Sequence, residues 1–368
     1  MKKTIKLLSI LFLFGAIFMS CEGPAGIDGV DGVDGIIGEA GGDGTAICMT
    51  CHNAGTVYAA KVDQFNEGAH ALGTYYSRGE DCSGCHSTDG FLARMDFTSA
   101  DEIFDLDLTD QSAISCRACH IVHTTYDETD WNLTFADQVT ETILGIDNAD
   151  VASGEFEDMG DVNMCVQCHQ SRNPIEVPSA TSTTDVNISH YWGPHHGPQG
   201  SILNSQGGVE VGTGYPTTAF NPTTSFAHDC INCHMPNGNH NLALDESTCT
   251  SCHSDITDKL AAIQDEVEGK LTDLGRTLAG LGGLDPDTET ETVWNETLGE
   301  HVETTDTVGY HAMGSGYGGY GDNPVAADLG RCVFNYLIIA EDQSMGIHNP
   351  DYIITLLDNT ITLAETLK

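Results

Sequence analysis

The chain repeats one five-residue pattern, Cys-x-x-Cys-His, six times. The copies are Cys48/Cys51/His52, Cys82/Cys85/His86, Cys116/Cys119/His120, Cys165/Cys168/His169, Cys230/Cys233/His234 and Cys249/Cys252/His253, and they use 12 of the 14 cysteines. Two thiols at this spacing add across the two vinyl groups of one porphyrin, and the histidine that follows is directed under the iron as its proximal ligand. Zinc also uses paired Cys-x-x-Cys units, and an exported chain could spend its cysteines on disulfides. Neither alternative gives a reason for a histidine directly after every pair. The expected cofactor is therefore haem c, six groups covalently bound.

Each iron then needs a second axial ligand or an open position for substrate. Of 16 histidines, six are proximal; the others are His70, His123, His190, His195, His196, His228, His240, His301, His311 and His348. A lone histidine is more often a surface or core residue than a ligand, but the demand of so many irons changes that balance. His123 falls three residues past His120, whose own porphyrin is already served, so it is expected to reach an adjacent one. His70 stands in FNEGAHALG ahead of the second motif, His228 two residues before Cys230, His240 nine before Cys249, and His348 in GIHNPDY. His195 and His196 sit in a Gly-Pro-His-His-Gly turn. The candidate distal set is His70, His123, His196, His228, His240 and His348, with His195 as the substitute for His196.

The chain starts with Lys2, Lys3 and Lys6, an apolar run from Leu7 to Phe18, and then Cys21. A basic start and a short apolar core make a secretory signal, with too few apolar residues for a permanent membrane span. Cys21 just after that core resembles a bacterial lipoprotein signal, in which the cysteine is acylated and anchors the chain; ordinary signal cleavage is the alternative. From Gly23 to Gly44 glycine recurs every third residue, the collagen period, but Pro24 is the one proline there. A flexible tether is the expectation, a trimerising stalk the alternative.

Acidic side chains number 55 against 13 basic, for a net charge of −42. Such a surface repels phosphate backbones, which excludes nucleic acid, and it favours basic redox-partner proteins or other cytochromes. The same negative field favours the oxidised, more positive irons and so lowers their potentials.

The expected fold is mainly α with much irregular structure, the polypeptide wrapping porphyrins that form most of its core. The expected organisation is 1–20 signal, 21–45 tether, 46–254 haem region and 255–368 a C-terminal helical segment packing on the haems. Leu260, Ile263, Val267, Leu271, Leu274, Leu278 and Leu281 recur at helical spacing from near Asp255. Residues 283–325 read as a loop, 326–342 as a second helix, and a third helix starts at Asn349 with Pro350 in its first turn. Cys332 is expected as a buried free thiol.

The segments SHYWGPHHGPQ, CINCHMP, NHNLALDESTCTSCH and AEDQSMGIHNPDY, the last followed by an apolar C-terminal helix, carry a resemblance. Over roughly residues 45–368 the chain resembles the multihaem cytochromes related to ammonia-forming cytochrome c nitrite reductase. The resemblance implies shared haem packing and axial roles for His240 and His348. Those reductases bind their catalytic haem through Cys-x-x-Cys-Lys, whereas all six motifs here end in histidine. Electron transfer through bis-histidine haems is accordingly the leading function, without catalytic residues of its own. Reduction of a small nitrogen or sulfur oxyanion at one open haem is the alternative. Assembly into filaments, as in hexahaem extracellular cytochromes of similar size, is a further one.

Overall fold

A computed structural model describes residues 48–49, 52, 57–73, 80–95, 111–139, 156, 158–171, 177–190, 192–195, 197–216, 228–251, 253–295, 300–313 and 323–368. They fall in one compact unit, residues 47–368. The expected signal, Cys21, the glycine tether, Cys51, His196 and Cys252 lie outside the described residues.

The first part is built of short helices joined by irregular chain: α1 Val57–Asn66, α2 Ala69–Leu72, α3 Glu80–His86, α4 Thr88–Arg94, α5 Cys116–Cys119, α6 Asn163–Val166, α7 Gln199–Leu203 and α8 Cys230–His234. The motifs explain several of them. Positions i, i+3 and i+4 share one face of a helical turn, so a single turn points both thiols and the histidine the same way. The backbone closes that turn: His120 N–H donates to the Cys116 carbonyl at 2.8 Å, His169 to Cys165 at 2.9 Å and His253 to Cys249 at 2.9 Å. Side-chain caps fix where such turns begin. Asp229 accepts the Asn232 N–H at 2.7 Å ahead of α8, and Ser87 accepts that of Gly90 at 2.9 Å ahead of α4.

Three longer helices follow: α9 Ile256–Gly280, α10 Ala327–Asp342 and α11 Pro350–Glu365. Asn349 caps α11 by accepting the Tyr352 N–H at 3.1 Å. These helices close an apolar core of Leu271, Leu274, Leu278, Val333, Phe334, Ile338, Ile353, Leu356 and Leu357, onto which Trp192, Ile202 and Val209 pack. The leucine stripe of α9 serves two neighbours. Val267, Leu271, Leu274 and Leu278 enter this core, whereas Leu260 and Ile263 face a large cavity in the first part. Cys332 is fully buried, its thiol donating to the Thr360 carbonyl at 3.8 Å. Among the described residues no helix is long and apolar enough to cross a membrane.

The stretch expected as a loop contains instead a long antiparallel hairpin, β2 Leu284–Asn295 with β3 Glu300–Ala312. Val186–Asn187 (β1) and Pro324–Val325 (β4) form a second, minimal antiparallel pair. The hairpin corrects the reading of 283–325 as a loop. Its pattern is Thr-Glu-Thr-Glu-Thr from Thr288, strand-forming by β-branching yet without an apolar face. Its base is held by contact. A Cβ added at Gly275 of α9 would meet the Tyr310 ring at 2.7 Å and that of Tyr336 at 3.1 Å, so only glycine lets the hairpin lie against the helix.

The Asn335 side chain ties α10 to the chain at Val209 and to α11. Its Oδ1 accepts the Val209 N–H at 2.7 Å, and its Nδ2 donates to the Val209 carbonyl and to Thr360 Oγ1, each at 2.9 Å. Asn335→Leu fits the volume but leaves a buried N–H and C=O unpaired, at about 1–3 kcal/mol each. The unfolding midpoint in urea should fall accordingly, while a Cys332→Ser change at the thiol beside it should cost less.

Candidate haem-binding site

Among the described residues the first part has small apolar clusters, Val139/Phe156/Val162/Val166 and Phe91/Ala118/Met164. Beside them lies a cavity of about 3220 Å³. Single small-molecule sites hold roughly 300–1,000 Å³. This space is large enough for several flat cofactors, and Cys85, Cys116, Cys165, Cys230 and Cys249 of five different motifs line it.

Histidines meet across that space in pairs, one from a motif and one from outside. His52 faces His123 with ring centres 6.0 Å apart, His169 faces His70 at 6.0 Å, and His120 faces His240 at 6.2 Å. His253 faces His228 at 5.9 Å and His234 faces His348 at 6.5 Å. A metal–imidazole bond of about 2 Å on each side, plus about 1.1 Å from each Nε2 to its ring centre, gives roughly 6.2 Å between centres. The gaps are the width of one iron. His190 and His311, neither of which belongs to a motif, show the contrast: their rings touch edge to face at 4.2 Å, leaving no room for an atom between.

The ring protons agree. His120 Nδ1 donates to the Trp131 carbonyl at 2.7 Å, His234 Nδ1 to the Leu242 carbonyl at 3.1 Å, and His240 Nδ1 to the Gly238 carbonyl at 2.8 Å. His169 Nδ1 donates to Gln199 Oε1 at 3.0 Å and His348 Nδ1 to Asp342 Oδ1 at 2.7 Å. These oxygens only accept, so each Nδ1 carries a proton, and in the neutral ring that tautomer leaves Nε2 as the ligating nitrogen. Burial, with help from the neighbouring His169 and His86, pushes His70 down to about 4; His240 is lowered chiefly by burial. Both are neutral imidazoles at neutral pH.

His123 needs a special backbone to reach its place. It sits at φ 64°, in the left-handed region, and Tyr126 at φ 61°. One carboxylate holds this loop. Asp130, almost fully buried, accepts the N–H groups of His123, Thr124, Thr125 and Tyr126 at 2.9, 3.0, 2.7 and 3.2 Å. Its burial would raise its pKa, but these donors, with the Thr125 hydroxyl, outweigh that and hold it at about 2. Asp130 and Asp342, neither legible as functional in the sequence, thus position His123 and His348.

Contacts also order the motifs in space. His120 and His123 share one loop, so the first and third motifs are neighbours, with Tyr58 and Trp131 filling the space between His52 and His120. Cys119 is pushed up to about 12 by burial and by Cys165 and Cys116 beside it, which joins the third motif to the fourth. The Cys165 thiol donates to Cys230 Sγ, joining the fourth to the fifth, and Cys233 lies beside Cys249 of the sixth. His86 of the second motif shares the neighbourhood of His70 with His169. The residue expected opposite His86, His196, is outside the described residues; His195 is exposed, at φ 64°. Among the described residues no three His, Cys, Asp or Glu side chains are arranged to hold a metal ion by themselves, as a closed zinc site requires.

Asp130→Ala removes the acceptor of four N–H groups at once. The expected result is a lower thermal midpoint together with loss of the His123 loop's protection from amide exchange. Asp130→Asn, which keeps one carbonyl acceptor, should fall between.

No family model matches the sequence, and no curated protein matches it. Two solved structures are similar to the chain. One is the outer cell wall cytochrome OcwA, at 16% identity and TM-score 0.46, covering 83% of this chain and 50% of that one. The other is an undecahaem cytochrome from the S-layer of Carboxydothermus ferrireducens, at 18% identity and TM-score 0.42, covering 85% and 42%. The chain spans half the length of the first and less of the second.

Proposed function

We propose that the chain is a hexahaem c-type cytochrome that relays electrons at the cell envelope. The observation that carries this is the set of motif and non-motif histidines facing each other at 5.9–6.5 Å. Bound haem supplies one-electron Fe(III)/Fe(II) cycling, with potentials set by axial ligands, burial and local charge. The chain's own residues do the rest. The cysteines of each motif would hold a haem covalently, and the paired imidazoles would ligate its iron and keep it for one-electron transfer. His70, His123, His228, His240 and His348 serve as distal ligands to the fourth, first, sixth, third and fifth sites. His196, or His195 in its place, serves the second.

The contacts between cysteines set the order of the relay. Sites one, three, four, five and six follow in line, and site two stands beside site four. The acidic surface steers basic partner proteins to the ends of that line, and Cys21 with the glycine tether holds the protein to the outer membrane.

Iron and haem analysis of protein matured in a host that attaches haem c should give six haems per chain. Electron paramagnetic resonance of the oxidised form should show low-spin ferric iron throughout. A high-spin signal equal to one haem would overturn bis-histidine ligation and favour the oxyanion reductase; fewer than six haems would overturn the count. His348→Met should convert one haem, that of His234, to a spectroscopically distinct ligation and leave the others unchanged.

A further inference from the structure

In a chain of net charge −42, one cation among the described residues is buried without an anion. Arg94, at the end of α4, is 4% exposed. Its Nη1 donates to Cys85 Sγ at 3.1 Å and its Nη2 to the Gln167 carbonyl at 3.0 Å and to Met95 Sδ at 3.7 Å. The guanidinium lies over the Phe91 ring, 5.0 Å from its centre. Nε is buried with no hydrogen-bond partner. Among the described residues no carboxylate pairs with it. The other deeply buried arginine, Arg331, is paired with Asp328.

A charge taken out of water costs several kcal/mol unless it is compensated, and one kept without a counter-ion acts over distance through a low-dielectric interior. The group Arg94 touches is the second sulfur of the second motif. Under the function proposed above, that sulfur is the thioether of the haem ligated by His86. We infer that Arg94 is a tuning residue that sets this haem at a higher potential than its neighbours. A fixed positive charge favours the state with one electron more, so the iron beside it reduces first. With site two beside the line and not within it, Arg94 makes that site a place where an electron rests. The surface charges act in the opposite sense and through water, where salt screens them.

The test is potentiometric titration of the haem-loaded full chain, followed by visible absorption and by electron paramagnetic resonance. Arg94→Gln keeps a donor to the Gln167 carbonyl and removes the charge; Arg94→Lys keeps the charge. The expected result for Arg94→Gln is that one haem becomes about tenfold harder to reduce relative to the rest, about 59 mV for one electron. The shift should persist at 1 M salt, and Arg94→Lys should restore most of it. The shifted component should be the one missing from a Cys82→Ala/Cys85→Ala variant. An Arg94→Gln curve that overlays the native one, or a uniform shift of all haems, would overturn the role of Arg94 while leaving the haem count intact. If the native protein itself carries no haem at the second motif, it is the broader reading that fails. Should Arg94→Gln not fold, the comparison of native protein with Arg94→Lys still decides: an unshifted potential supports the charge, and a fall as large as that expected for Arg94→Gln overturns it.

Discussion

The motif-bearing half depends on one interaction that recurs in three of its five facing histidine pairs: an imidazole Nδ1–H held by an oxygen that can only accept. That bond fixes the tautomer, aims Nε2 into the cavity and prevents the ring from turning away. The acceptors differ in kind. For His120, His234 and His240 they are backbone carbonyls, for His169 an amide and for His348 the fully buried Asp342 carboxylate. Under the function proposed above, a carboxylate acceptor would make its imidazole a stronger donor to iron than a carbonyl acceptor does, so the fifth site would differ electronically from the third through partners that the motif does not specify.

The two halves solve the core problem differently. The C-terminal helices bury Phe334, Ile338, Tyr352, Leu356 and Leu357 among themselves and close around Asn335. The motif-bearing half has too little apolar surface of its own, and its chain runs as single turns between irregular segments. α9 joins them, one stretch of its stripe in each. The order of elements therefore follows a division of labour: a polypeptide core at one end and, under the function proposed above, a cofactor core at the other.

What could be read from the sequence depended on whether the responsible force was local. Cys-x-x-Cys-His is a statement about one helical turn, and the structure makes that turn at Cys116–Cys119 and Cys230–His234. Leucines at helical spacing and Asn349-Pro350 are local too, and α9 and α11 lie where they indicate. The hairpin escaped because its alternation is Thr with Glu, both faces polar, so no apolar period marks it. Which distal histidine faces which motif is a long-range matter: His240 meets His120 across 120 residues of chain, and nothing near either one announces the other. Arg94 gave no sign for the same reason, since the Gln167 carbonyl that receives it lies 73 residues further along the chain.

The crossing of these pairs carries a consequence for how the protein is made. Under the function proposed above, a chain exported amino-terminus first would present its ligands in a fixed schedule. The first pair would be complete once residue 123 has emerged, and the fourth as soon as its own motif appears, because His70 precedes it. His120 would wait for His240, and His234 for His348, close to the end. Completion of the sites would thus be timed by topology.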